Sequence, residues 1–268
     1  MKSKGLSPNT IRHHHRLLNM IFIFGMKKKI EGKRLISHNP CALVDKDKIK
    51  VKDKRPNFYD IDEIEKLFKA ADKENFIYGL IIKLAVTTCA RRGELFALTW
   101  DDVGLDTGVI KINKSLAYIP GKPTHIKDPK NDYSIRTVVV PPWVRSLLKE
   151  HNERQTKIAE DMDNLYKGDN YLFVTETGNR IHPDTISSWF PEFLDKHKQR
   201  RISFHGLRHT GISYLIHQGE DVESIKSVSG HASSNTILKF YAHAYKGAQK
   251  KAASQMEVLN PNKIKKQA

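Results

Sequence analysis

Tyr241 and Tyr245 stand four residues apart at the end of the segment SGHASSNTILKFYAHAY, residues 229–245, which also carries His231. A phenol can act as a nucleophile, but its pKa near 10 means that it needs cationic neighbours to stabilise the phenolate. Three other segments offer them. TTCARRGEL brings Arg91 and Arg92 close to Glu94, DPKNDYSIRT places Lys130 ahead of a strand with Lys127 just upstream, and FHGLRHT holds His205, Arg208 and His209. His205 and Arg208 are three residues apart, which puts them on one face of a helix. Each segment alone has a plain structural reading: an Arg–Glu pair on the surface, a solvated hairpin lysine, and a core stripe of Ile237, Tyr241 and Ala244.

In combination and in this order, the segments resemble the tyrosine recombinase family, the phage integrases and their relatives, over residues 57–245. FHGLRHT resembles the family's His-x-x-Arg box. SGHASSNTILKFYAH resembles its Gly-His…Tyr-x-His box, with the family's usual spacing of ten residues from His231 to Tyr241. TTCARRGELFALTW resembles the first-arginine box, usually Thr-Gly-x-Arg-x-x-Glu-Leu, and this alignment selects Arg91 rather than Arg92. PKNDYSIRTVVVP resembles the lysine hairpin and selects Lys130 over Lys127. The resemblance implies Arg91, Lys130, His205, Arg208, His231 and Tyr241 as the catalytic set, with Tyr241 the nucleophile and Glu94 bracing an arginine. Three positions depart from the family pattern: Cys89 stands for the usual Gly, Ser229 for the usual Leu before Gly-His, and Asn131 for a common Thr.

These residue types suit phosphoryl transfer at a DNA phosphodiester. Negative charge grows on the non-bridging oxygens in the transition state, and guanidiniums grip such oxygens through a planar fork while staying charged. Lys130 would protonate the leaving 5′-oxygen as general acid. His205 and His231 would donate to phosphate oxygens or assist proton transfer from the phenol. Tyr241 falls about two turns into a helix opened by the caps at residues 233–235, and Tyr245 lies one turn, about 6 Å, further on. Only one phenol can reach a phosphate that His231 also touches; the family spacing makes it Tyr241 and leaves Tyr245 to packing. The implied reaction forms a 3′-phosphotyrosine link and needs neither metal, ATP nor any other cofactor. The implied partners are double-stranded DNA and three further copies of the chain, a homotetramer on two DNA sites.

Composition agrees with a DNA partner. The 268 residues carry a net charge of +16, with 15 basic and 4 acidic residues in the first 55. Such an excess suits a polyanion. No apolar run is long enough to span a bilayer and the N-terminus lacks a signal-peptide core, while two cysteines, Cys41 and Cys89, fit a reducing cytoplasm.

The elements that must position these groups read as mainly α with a small antiparallel β-sheet, an α+β fold. Ser7-Pro8 starts a helix over residues 7–26 with Ile11, Leu18, Ile21, Phe22 and Gly25 on one face, and His13, His14 and His15 inside it. Asp60 and Glu63 form a capping-box pattern ahead of an apolar stripe of Ile64, Leu67, Phe68 and Ala71. FIYGLIIKLAVTT is a second helix there, and RRGELFALTW is expected to continue as a third. GVIKINKS and IRTVVVPP are strands, separated by a long polar loop. The expected organisation is a partial helical core-binding segment (1–45), a charged linker (46–56), a catalytic domain (57–245) and a tail (246–268) that docks on a neighbouring protomer. Family members carry a longer helical domain ahead of the linker, so a truncated, weakly active or non-catalytic DNA-binding remnant is the alternative. A type IB topoisomerase, or a zinc-binding regulator using His205, His209 and His231, ranks behind it.

Overall fold

The computed structural model describes residues 5–43, 57–118, 121, 123–127, 134–235 and 237–238. The chain divides into two compact units, residues 1–55 and 56–268.

In the first unit, Ser7 caps helix α1 (Pro8–Lys27): its Oγ accepts from the Thr10 N–H at 3.1 Å, and Pro8 fills the first turn where its missing N–H costs nothing. A two-residue hairpin, β1 (Lys29–Ile30) with β2 (Lys33–Arg34), turns the chain back to a 3-10 turn at Pro40–Leu43. The packed face of α1 differs from the expected stripe. Ile11, His15, Asn19, Phe22 and Gly25 are among the covered positions, whereas Leu18 and Ile21 are exposed. The returning segment decides this: Ile36 lies 3.1 Å from where a Gly25 Cβ would be, Asn39 donates to Asn19, and the His15 ring bonds the Cys41 carbonyl.

In the second unit, Asp60 caps α2 (Ile61–Ala71) in a reciprocal box with Glu63. Helix α3 (Phe76–Thr87) is buried from Gly79 to Val86 and forms the centre of the core. The helix expected over residues 91–100 shrinks to one turn, α4 (Arg92–Leu95). Residues 94–98 are all buried, and the Phe96 N–H closes the single turn onto the Arg92 and Glu94 carbonyls. The chain then enters a Thr99–Asp102 box and a 3-10 turn at Trp100–Asp102.

Strands β3 (Val103–Gly104), β4 (Val109–Ile112) and β7 (Arg136–Val139) form an antiparallel sheet in the order β3-β4-β7. The segment expected as one strand, residues 108–115, divides between that sheet and a separate hairpin. The hairpin pairs β5 (Ser115–Ala117) with β6 (His125–Lys127), a strand inside what reads as polar loop. Helices α5 (Pro142–Met162), α6 (Pro183–Lys196), α7 (Phe204–Gln218) and α8 (Val222–Ser229) complete the unit. The fold is thus mainly helical with small antiparallel sheets. α7 packs on α3 at Gly211, where a Cβ would stand 2.1 Å from the Val86 carbonyl oxygen.

Candidate active site

Four backbone segments bring the site together. Arg91 is the N-cap residue of α4, and the Glu94 carboxylate one turn on accepts both its backbone N–H (2.9 Å) and its Nη1 (2.5 Å). Arg91 Nη2 reaches across to the Gly230 carbonyl at 3.2 Å. Arg92 points elsewhere, onto Asp184 and Ser187 at the start of α6. Two adjacent arginines thus diverge, and only Arg91 joins the cluster described here.

Arg208 projects from α7, whose first turn is capped by Ser203. The residue is 1% exposed; Nη1 donates to the Cys89 carbonyl at 2.6 Å, and Nη2 lies 3.2 and 3.3 Å from the two ring nitrogens of His231. Cys89 holds φ +50°, a left-handed conformation in which a glycine has no Cβ penalty. This turn aims its carbonyl at Arg208. Burial, and then Arg91 nearby, pull the Arg208 pKa down to about 10, so it stays charged at neutral pH.

His231 follows Gly230, which ends α8 in the left-handed conformation at φ +66°. Ser229 Oγ stands 2.7 Å from His231 Nδ1. Desolvation, then Arg208 and Arg91, push the His231 pKa down to about 3. His205 is lowered too, by desolvation and then Arg208 and Arg91, and the same burial with His205 beside it takes His209 to about 4. The site therefore holds neutral imidazoles among cationic guanidiniums at pH 7. His205 and His209 stack edge to face at 4.6 Å. Among the described residues no three His, Cys, Asp or Glu side chains converge to hold a metal ion, which includes the trio of His205, His209 and His231.

One participant went unrecognised in the sequence. Arg136 on β7 is buried and pairs with Glu94 Oε2 at 2.8 Å, while its Nε donates to the Val228 carbonyl at 2.7 Å and its Nη1 to the Ser134 carbonyl at 3.2 Å. Glu94 thereby bridges two arginines. Burial works to raise its pKa, but the Arg136 bond and charge and the Arg91 N–H and charge outweigh it and hold the carboxyl below its usual range. The signal was present: strand alternation turns Arg136 and Val138 inward and Thr137 and Val139 outward.

Lys127 is exposed on β6. Lys130, Tyr241 and Tyr245 lie outside the described residues, as do residues 46–56 and 246–268. The chain is followed past Asn235, whose N–H is capped by Ser233 Oγ at 3.3 Å, to Leu238, and the intervening Ile237 is fully buried with Cys89, Ile212, Ile216 and Ile225.

Residues 57–247, the segment containing all these groups, match the sequence model of the phage integrase family. The chain belongs to the phage integrase family. Among curated members, the ICEBs1 integrase of Bacillus subtilis (strain 168) is 27% identical over 95% of this chain and 67% of its own length. A XerC-like tyrosine recombinase of Caldanaerobacter subterraneus is 26% identical over 96% of this chain and 67% of its own. In fold, this integrase-family chain is similar to the Tn1549 transposon integrase, solved in complex with transposon right-end DNA (TM-score 0.78, 22% identity, 97% of this chain and 82% of that one). It is also similar to the XerH site-specific recombinase bound to a palindromic difH substrate in a post-cleavage complex (TM-score 0.72, 24% identity, 95% and 69%). The chain is thus a site-specific recombinase of the tyrosine type, an enzyme of DNA recombination with DNA as its partner. No helix among the described residues is long and apolar enough to cross a membrane.

Proposed function

We propose that this integrase-family chain cuts and rejoins DNA through a 3′-phosphotyrosine intermediate on Tyr241. The observation that carries the reading is the convergence of Arg91, Arg208 and His231 on the turn at Gly230, from which the chain leads toward Tyr241. Two guanidiniums about one turn bind the non-bridging oxygens of a single phosphodiester and stabilise their growing charge. The Tyr241 oxygen attacks phosphorus and its phenolic proton passes to a neighbouring imidazole or to water. The bond from phosphorus to the 5′-oxygen breaks, and Lys130 gives that oxygen its proton. Attack by a 5′-hydroxyl from the partner duplex reverses these steps and frees the tyrosine. The energy of the broken bond stays in the phosphotyrosine, so the cycle consumes no nucleotide.

Glu94 supports this set by fixing Arg91 through two hydrogen bonds. Two rounds of strand exchange call for four protomers on two duplexes. Residues 1–45 form a helical core-binding segment, 46–56 the linker, 57–245 the catalytic domain, and 246–268 a tail that docks on the adjacent protomer. The work takes place in the cytoplasm, on DNA. Incubation of the chain with a nicked duplex, in EDTA and without nucleotide, tests the chemistry. A covalent adduct that survives detergent is expected. DNA binding without any adduct would favour a non-catalytic DNA-binding remnant instead.

A further inference from the structure

Ser229 occupies a position where the family usually has leucine, and the structure gives its hydroxyl one partner. It is fully buried, and its Oγ lies 2.7 Å from His231 Nδ1. The backbone on either side is pinned: the Val228 carbonyl accepts from Arg136 Nε and the Gly230 carbonyl from Arg91 Nη2. The hydroxyl is therefore held against the ring by two arginines that do not touch it. Ser227, two residues earlier, turns its hydroxyl back onto the Ser224 carbonyl at 2.8 Å, the ordinary use of a helical serine. Ser229 does not.

We propose that Ser229 is a positioning residue whose hydroxyl donates to Nδ1 of His231 and fixes the imidazole with its proton on Nε2. The direction follows from satisfaction of the hydroxyl. A buried O–H without an acceptor is costly, and Nδ1 is the acceptor it meets among the described residues. The Arg208 guanidinium can only donate, and from 3.3 Å it shares the Nδ1 lone pair with the Ser229 hydroxyl in this tautomer. A neutral imidazole has one N–H and one lone pair, so a hydroxyl that claims the Nδ1 lone pair leaves His231 with an Nε2–H. His231 then meets the substrate as a hydrogen-bond donor to a phosphate oxygen and not as the base that takes the phenolic proton. This assignment rests on the proposed role of His231 in strand cleavage.

The test uses the full chain with 15N-labelled histidine, and long-range 1H–15N spectra in which His231→Gln identifies the His231 signals. The wild-type ring is expected as the Nε2–H form at pH 7. In Ser229→Ala the ring should shift toward the Nδ1–H form or a mixture, and adduct formation on a nicked duplex should slow by roughly five- to tenfold, the worth of one hydrogen bond, with DNA affinity unchanged. A wild-type Nδ1–H ring, or an unchanged ring pattern in Ser229→Ala at any cleavage rate, overturns the proposal. If His231→Ala cleaves as fast as wild type, the catalytic reading of His231 fails, while the ring spectra still decide what Ser229 does.

Discussion

Replacing Arg136 with methionine removes the cation from a pair in which both side chains are 5% exposed. Methionine fills similar volume, so the loss is mainly electrostatic. Three things happen together. Glu94 keeps the Arg91 contacts but loses its buried countercharge, the Val228 carbonyl loses a 2.7 Å donor, and the Ser134 carbonyl loses another at 3.2 Å. Breaking one side of a buried ion pair costs about 3–5 kcal/mol, because the remaining charge stays desolvated. For a unit of this size each kcal/mol moves Tm by about 2–4 °C, so Tm should fall by roughly 6–20 °C. Thermal unfolding followed by circular dichroism measures this. The acid side should change as well. In the wild type the depressed Glu94 pKa contributes stability that is present above the ordinary carboxylate range and lost as pH falls through the depressed value. Without Arg136 burial dominates and Glu94 takes up its proton at higher pH, so the acid limb of the stability curve should begin earlier. A Tm loss below about 3 °C, with an unchanged acid limb, would refute the claim that Arg136 balances a buried carboxylate.

Gly211→Ala places a Cβ 2.1 Å from the Val86 carbonyl oxygen and 2.7 Å from Cys89 Sγ. Because backbone cannot yield cheaply, a loss of about 1–3 kcal/mol or more is expected in thermal unfolding, and an unchanged Tm would show that α7 and α3 are not in that contact. His209 and His231, with pKa values of about 4 and about 3, bind protons less readily folded than unfolded. Their contribution is complete above the unfolded value near 6.5 and is lost progressively as pH falls toward about 4 for His209 and about 3 for His231. Tm should therefore drop between pH 7 and 4.5, and a flat profile over that span would contradict the burial of these rings. DNA affinity measured by fluorescence anisotropy should fall about a thousandfold from 50 to 200 mM salt if some six phosphates are contacted; a flat response would sever the link between the +16 charge and DNA.

What could be read from the sequence was what local chemistry decides. The caps at Ser7 and Asp60 are short-range hydrogen bonds, and the structure forms both. The apolar helix α3 follows from its composition alone. The choice of Arg91 over Arg92 came from motif spacing; in the structure the two side chains meet different partners, Glu94 and Asp184. What stayed hidden depends on distant segments. The packed face of α1 is chosen by the returning chain at Ile36 and Asn39, which no helical period encodes. The end of α4 at Leu95 is followed by the Thr99–Asp102 box, whose turn pairs with the distant residues Asn170 and Leu172. The Glu94–Arg136 pair joins positions 42 residues apart, and Ser229 looked like a harmless departure until its hydroxyl was seen against His231. Cys89 is the converse case. The position's usual glycine has a physical reason, a positive φ, and this chain accepts that conformation with a side chain packed among isoleucines.

The most direct test of the proposed chemistry is to digest the covalent complex trapped on a nicked duplex and locate the modified residue by mass spectrometry. The DNA should be attached through a 3′-phosphate to the peptide containing Tyr241, and Tyr241→Phe should form no adduct while binding DNA as tightly as wild type. Attachment at Tyr245, or at a residue that is not a tyrosine, or an adduct of undiminished yield in Tyr241→Phe, would contradict it.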